Sequence, residues 1–138
     1  MKNVHKLKVY FGDTDAAGIV FYPNYYRWMD QATFELIEKA IMNPKELRTE
    51  KNITYPLLET GCKHFAPLFD GDIVEIHSHV SEIRNKVFKV QHEFKKNGEV
   101  IASGFEIHAW TSIKDGKLKA IPIPDDIRAA FGHPVQTV

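Results

Sequence analysis

Among its 138 residues the chain has one cysteine, Cys62. A lone thiol excludes an internal disulfide and any paired-cysteine zinc motif, and it fits a reducing compartment, so a cytoplasmic location is expected. Neither sign of charge is in excess, since Lys plus Arg and Asp plus Glu stand at 18 each. That balance argues against a nucleic-acid partner held by a broad positive surface. No apolar run is long enough to span a membrane, and the opening MKNVHKLKVYFGD lacks the greasy centre of a secretion signal. No repeat, low-complexity tract or linker divides the sequence, so residues 1–138 are expected to form a single domain. What remains, 43% hydrophobic and 26% charged residues, is the balance of a globular chain long enough to bury a core.

The most informative stretch is YFGDTDAAGIVFYPNYYRWMDQATFELIEKA, residues 10–40. It reads as the end of a strand, a loop carrying Asp13, Asp15, Gly12 and Gly18, and a helix starting at Pro23 and running to about Ile41. Proline suits the first helical position because its fixed φ is already helical and its missing N–H would go unpaired there. Tyr25, Trp28, Met29, Ala32, Leu36, Ile37 and Ala40 then recur at steps of three and four, one broad apolar stripe.

Before this helix, Leu7, Val9 and Phe11 alternate with lysines and Tyr10, a first strand over Val4–Phe11. Asn43-Pro44 stops the helix, and Pro44–Lys51 reads as a short polar helical turn. The period then becomes extended. Ile53–Leu58 and Cys62–Leu68 suit one long strand, or two strands kinked at Gly61. Val74, Ile76, Ser78 and Val80 share one face of a strand, and Phe88, Val90, His92 and Phe94 share one face of the next. Asn97-Gly98 signals a tight hairpin, Val100–Ile113 the longest strand, and Pro124–Phe131 a terminal helix. One long helix followed by hairpin-connected strands is an α+β pattern with an antiparallel sheet.

The loop before Pro23 is where chemistry is expected. A helix start offers unpaired N–H groups and partial positive charge, which suits an oxyanion formed at an attacked carbonyl. A carboxylate beside it can attack that carbonyl or activate water. From the residues alone, Asp13 and Asp15 are both candidates, and either can instead brace the loop by accepting backbone N–H bonds.

DTDAAGIVFYPNYYRWMD resembles the active-site segment of the 4-hydroxybenzoyl-CoA thioesterases and their Tol-Pal-associated acyl-CoA thioesterase relatives, with weaker similarity through ITYPLLETG, SEIRNKVFKVQHEF and LKAIPIPDDIRAAF. The resemblance implies a hotdog fold, an antiparallel sheet of about five strands wrapped round one long helix. It implies hydrolysis of an acyl-CoA, favouring an aromatic hydroxybenzoyl- or benzoyl-type acyl group over a short- or medium-chain aliphatic one. It assigns Asp15 as nucleophile or general base, leaves Asp13 a bracing role, and gives the backbone N–H of Tyr22 to the thioester carbonyl. Asp30 maps near the acyl group; Gly18 reads as permitting close backbone approach or a positive φ beside the substrate, and of Tyr25, Trp28 and Met29 on the apolar stripe some are expected to line the acyl tunnel where it passes the helix start. Arg84 and Lys86 map onto the family's phosphate-contacting turn; here Asn85 stands where the pattern has another basic residue, removing one charge. No cofactor is implied, because coenzyme A belongs to the substrate. Subunits of the family pair into a continuous sheet, so a homodimer or dimer of dimers is expected, with the site across the interface.

Two other classes compete. A hotdog hydratase would place a histidine before the helix, and this loop has none. A non-catalytic acyl-CoA-binding module has no need of the loop carboxylate. Metal is not expected: His77, His79, His92 and His108 are spread over strands with no His-Glu-x-x-His helix. Cys62 reads as a buried small residue, and His64 as a neighbour of the acyl pocket without an assigned role.

Overall fold

The computed structural model describes residues 1–132. In chain order the elements are β1 (Lys2–Lys8), α1 (Pro23–Ala40), α2 (Pro44–Lys51), β2 (Ile53–Thr54), β3 (Leu57–His64), β4 (Ile73–Ile83), β5 (Val87–Lys96), β6 (Glu99–Ala109), β7 (Thr111–Lys114), β8 (Lys117–Ala120) and α3 (Asp125–Ala130). Five strands make one antiparallel sheet in the order β1-β4-β5-β6-β3, and β2, β7 and β8 make a small second sheet. α1 lies on one face of the larger sheet, touching β1, β4, β6 and β3.

The stripe on α1 explains its position. Tyr25, Trp28, Met29, Ala32, Leu36 and Ile37 are all buried against the sheet. Each large apolar side chain removed from water contributes about 1.5–3 kcal/mol, far more than any helix propensity in the same stretch. The strand alternation supplies the opposite surface: Val74, Ile76 and Val80 of β4 and Phe88, Val90 and Phe94 of β5 are buried. Gly104 of β6 sets how closely the layers approach. A Cβ there would fall 2.5 Å from Met29 Sδ and 2.9 Å from the Gly61 carbonyl oxygen.

The core is not uniformly apolar. One cluster gathers Tyr25, Trp28, Met29 and Ala32 with Ile76, Phe94 and Ala102, and a second gathers Leu36 and Ile37 with Val80, Phe88, Val90 and Trp110. Between them runs a polar belt of Thr33, Ser78, His92 and Glu106, all buried. Thr33 Oγ1 donates to Glu106 Oε1, His92 Nε2 lies 3.0 Å from the same oxygen, and His92 Nδ1 shares a 2.6 Å hydrogen bond with Ser78 Oγ. His108 flanks the belt. Its Nδ1 donates to the Tyr55 carbonyl at 2.8 Å, and its Nε2 makes a longer 3.5 Å contact with Glu106.

Four boundaries differ from the sequence-based expectation, each for a local reason. The first strand ends at Lys8, and Phe11 is 81% exposed, because Asp13 pulls the chain into a turn by accepting the Tyr10 N–H. The break in the next extended region falls at Tyr55-Pro56, where proline supplies no ladder donor, while Gly61 lies within β3. The run Val100–Ile113 divides at Trp110, whose N–H bonds to the Lys86 carbonyl as the chain passes from one sheet to the other. β8 was not expected: its four residues are all exposed and carry no inward-facing pattern.

Burial alone would raise the Glu106 carboxyl; the contacts from His108, His92 and Thr33 outweigh it and hold the group at about 2, against an ordinary 4.5. A depressed folded-state value means stabilisation that is complete above about pH 4.5 and is lost as pH falls toward 2. Glu106→Gln should therefore cost about 3 kcal/mol at neutral pH, read from chemical denaturation midpoints. The gap to wild type should narrow on acidification through that window; a gap independent of pH would show that the carboxylate charge is not what the belt uses.

Candidate active site

The loop between β1 and α1 spends its two aspartates differently. Asp13 is engaged on every side. Its Oδ2 accepts the Tyr10 N–H at 2.9 Å and its Oδ1 accepts from Arg27 Nη2 at 3.1 Å. Its carbonyl accepts from the Phe21 N–H at 2.9 Å and from Asn24 Nδ2 at 2.8 Å. Asp13 thus ties the loop to the first turn of α1. Asp15 opens a tight turn in which its own carbonyl accepts the Gly18 N–H and its Oδ1 accepts the Ala17 N–H at 2.8 Å. Its other carboxylate oxygen has no partner among the described residues, and the side chain is exposed. Gly18 sits at φ +80° with open space where a Cβ would go, so it is there for the backbone conformation and not for close approach.

The helix start supplies the donor. Tyr22 already has helical backbone angles ahead of Pro23. The neighbouring amides are used internally: Phe21 N–H bonds to the Asp13 carbonyl, Asn24 N–H to Phe21, and Tyr25 N–H to Tyr22. The Tyr22 N–H has no acceptor among the described residues. It stands at a cleft of about 290 Å³ lined by Ile19, Val20, Tyr22, Tyr25, His64, Phe65, Ala66 and Pro67. The Asp15 carboxylate does not line this cleft, but Ile19 does, and Ile19 faces Asp15 across the turn with a 2.9 Å bond from Asp15 N–H. A carbonyl in the cleft would meet a backbone donor, and the turn that carries Asp15 adjoins the cleft through Ile19.

The remaining expected residues separate into near and far groups. Tyr25 lines the cleft and is nearly buried; burial pushes its phenol up to about 12, so it stays neutral at ordinary pH. Trp28 and Met29 are fully packed in the core beneath it. Asp30 lies eight residues beyond Tyr22 along α1, about 12 Å at 1.5 Å per residue. Its carboxyl is raised by partial burial and by the Glu106 charge, partly offset by His108. Arg84 and Lys86 occupy the β4–β5 turn beside the far end of α1, about 27 Å from the helix start. One chain does not bring them to Asp15. Arg84 pairs with Glu82 at 3.2 Å, and its carbonyl accepts from Arg128. Cys62 packs by Tyr25, and burial pushes its thiol up to about 11, which makes it a poor nucleophile. His77 and His79 face outward on β4 while His92 and His108 face α1, so the four do not converge on one ion.

The polar belt was not anticipated, although the alternation had already placed Ser78 and His92 on inward faces. Its order of serine, imidazole and carboxylate looks like a nucleophile relay. With Ser78 at 2% and His92 at 0% exposure, no substrate reaches the hydroxyl, and the belt positions α1 instead. A larger cleft of about 730 Å³ between α2, Phe34, Tyr55 and Leu118 holds none of the loop carboxylates.

Comparison with known proteins concerns the chain as a whole. The thioesterase-like superfamily matches residues 9–131. A 1,4-dihydroxy-2-naphthoyl-CoA hydrolase of Prochlorococcus marinus (strain NATL2A) is 34% identical over 71% of this chain and 68% of its own. Among solved structures, a gentisyl-coenzyme A thioesterase superposes with a TM-score of 0.81 at 43% identity, covering 94% of this chain and 98% of that one. The 4-hydroxybenzoyl-CoA thioesterase of Pseudomonas sp. strain CBS-3 gives 0.85 at 26% identity, with 94% and 98% covered. These likenesses span the loop, α1 and the sheet together.

The turn is testable without any assay. Gly18→Ala should lower stability by about 1–2 kcal/mol, because a side chain at that φ crowds the following carbonyl. Gly12→Ala, with open space and no positive φ, should change the melting temperature little. Equal effects would remove the turn geometry as the cause.

Proposed function

The chain belongs to the thioesterase-like superfamily, and from that premise we propose that it hydrolyses an aromatic acyl-CoA, of the hydroxybenzoyl or benzoyl type, to the free acid and coenzyme A. The observation that carries the reading is the unpaired Tyr22 N–H at the start of an 18-residue helix, opening on an aromatic-lined cleft, with the half-free carboxylate of Asp15 in the turn that Ile19, a residue of the cleft wall, closes. The thioester carbonyl accepts the Tyr22 N–H and sits in the positive end of the helix field, so negative charge gathering on that oxygen is stabilised. Asp15 attacks the carbonyl carbon to give a mixed anhydride that water then opens, or it takes a proton from the attacking water. Thiolate leaves readily, so the step needs no strong general acid.

Tyr22, Tyr25, His64 and Phe65 supply flat surfaces for an aryl ring, which supports the acyl class, as do relatives named for aryl-CoA substrates. Gly18 holds the turn that presents Asp15, Trp28 backs Tyr25, and Asp30 approaches the acyl group from further along the helix. The working unit is a homodimer or a dimer of dimers. β3 is an unpaired sheet edge, and Leu57, Leu58 and Phe65 on or beside it are exposed, a combination that invites a second copy. A second copy also lets Arg84 and Lys86 reach the coenzyme A phosphates, which the same chain's turn does not.

Release of thiol from aryl- and alkyl-CoA thioesters tests the reading directly. Aryl substrates should turn over faster than hexanoyl-CoA. Asp15→Asn should lower kcat about a thousandfold or more, and Asp13→Asn should stay within about tenfold of wild type. Faster alkyl turnover would move the substrate to the aliphatic class, and binding without any thiol release would make the protein an acyl-CoA binder.

A further inference from the structure

His64 closes β3, and its neighbours fix where it points. It pairs with Ala102, whose side chain is buried under α1, so the imidazole shares that inner face. Its ring meets Tyr25 edge-on at 4.4 Å between centroids. It lines the same cleft as Tyr22. Neither ring nitrogen has a hydrogen-bond partner among the described residues, unlike His92 and His108, whose bonds are internal.

Donor supply at the helix start makes this position consequential. Val20 N–H bonds to Leu68, Phe21 N–H to Asp13, Pro23 has no N–H, and the Asn24 and Tyr25 amides are used inside the turn. From Val20 to Tyr25 the backbone therefore offers one free donor among the described residues, the Tyr22 N–H, where a developing oxyanion is better held by two. Among the other groups lining the cleft, only the Tyr22 and Tyr25 hydroxyls and the His64 imidazole carry donors. Tyr25 is 3% exposed and sits beneath His64, and Tyr22 already supplies the helix-side donor through its backbone; the exposed imidazole is the side-chain donor that comes from the strand side.

We infer that His64 donates the second hydrogen bond to the thioester carbonyl, opposite the Tyr22 N–H. This rests on the proposed thioesterase reading and adds to it a residue from the sheet edge, so the carbonyl is gripped between helix and strand. An imidazole N–H does this in the neutral ring, and the contact strengthens as charge moves onto the oxygen. Its effect belongs in kcat more than in KM.

The experiment uses two replacements at the position. His64→Phe keeps the edge-on packing against Tyr25 and removes the donor; His64→Gln keeps an N–H donor on a different frame. With benzoyl-CoA, His64→Phe should lower kcat about 100-fold with KM changed less than about threefold, and His64→Gln should recover a large part of the loss. Matching circular dichroism and melting curves establish that both variants fold. A second measurement separates this inference from the thioesterase reading: the carbonyl stretch of benzoyl-CoA bound to Asp15→Asn, compared with the Asp15→Asn/His64→Phe double variant. The stretch should rise when the His64 donor is removed. No thiol release from wild type would strike the thioesterase reading, whereas an unchanged stretch, or Phe and Gln variants that behave alike, would overturn the His64 assignment. Failure of Asp15→Asn to bind benzoyl-CoA would overturn both.

Discussion

The placement of α1 on the sheet is governed by one buried carboxylate. Apolar contacts are tolerant: Leu36, Ile37 and Met29 would still find cover after a small slide of the helix. Glu106 is not tolerant. It lies in the core between two apolar clusters, and its Oε1 is satisfied only while Thr33 on the helix and His92 on β5 converge on it. Moving the helix by one residue rotates Thr33 about 100° away and strands a charge in a dry interior, a cost of several kcal/mol. The belt thus turns a nonspecific hydrophobic contact into a single register. Tyr22 lies three turns before Thr33 on the same rigid cylinder, so the register that satisfies Glu106 also determines where the unpaired N–H points.

The loop applies the same logic on a smaller scale. Two carboxylates two residues apart could compete for the same backbone donors. Asp13 takes the Tyr10 and Arg27 contacts and fastens the loop to the helix. Asp15 gives one oxygen to its own turn and keeps the other for solvent. A carboxylate held by a single bond to Ala17 has a defined direction without the heavy hydrogen bonding that would blunt it as nucleophile or base. Bracing and openness are divided between neighbours, and Gly18 makes the division possible by turning the chain back so that Ile19 faces Asp15.

Much of this was legible in the sequence because it rests on local rules. Pro23 and the stripe from Tyr25 to Ile37 specify α1, Asn97-Gly98 specifies a hairpin with both residues at positive φ, and the inward faces of β4 and β5 follow from alternation. What was hidden depends on which particular groups pair, close by in the loop or far away in sequence. Phe11 fits the strand pattern, but the Asp13 side chain diverts the chain. Trp110 continues a run of apolar residues, but its N–H bonds to Lys86, at the far end of another hairpin. Thr33 reads as a flaw in an apolar stripe until His92 and Glu106, 59 and 73 residues away, are placed against it. Periodicity reports which face a residue is on; it carries no information about which polar residues on facing elements will meet.

In the proposed reading, a site that one chain does not complete has a geometric consequence. β3 runs so that His64 lies near the start of α1, while Leu57 lies toward Tyr55 and the helix's second half. Pairing two β3 edges about a two-fold axis is antiparallel, and in such an isologous contact the beginning of one strand sits beside the end of the other. The helix start and cleft of one copy then face the opposite end of the second copy, the end at which the β4–β5 turn carries Arg84 and Lys86. The proposed substrate, with an acyl head and a phosphate tail, would need an oxyanion donor and cations within its own length, and a single α1 holds them about 27 Å apart at its two ends. In such a two-fold pair the proposed oxyanion donor of one copy would face the cations of the other, instead of lying a helix length from its own. The unpaired edge of the sheet and the candidate site are two sides of one constraint: the same strand that leaves its backbone open also carries His64 to the cleft.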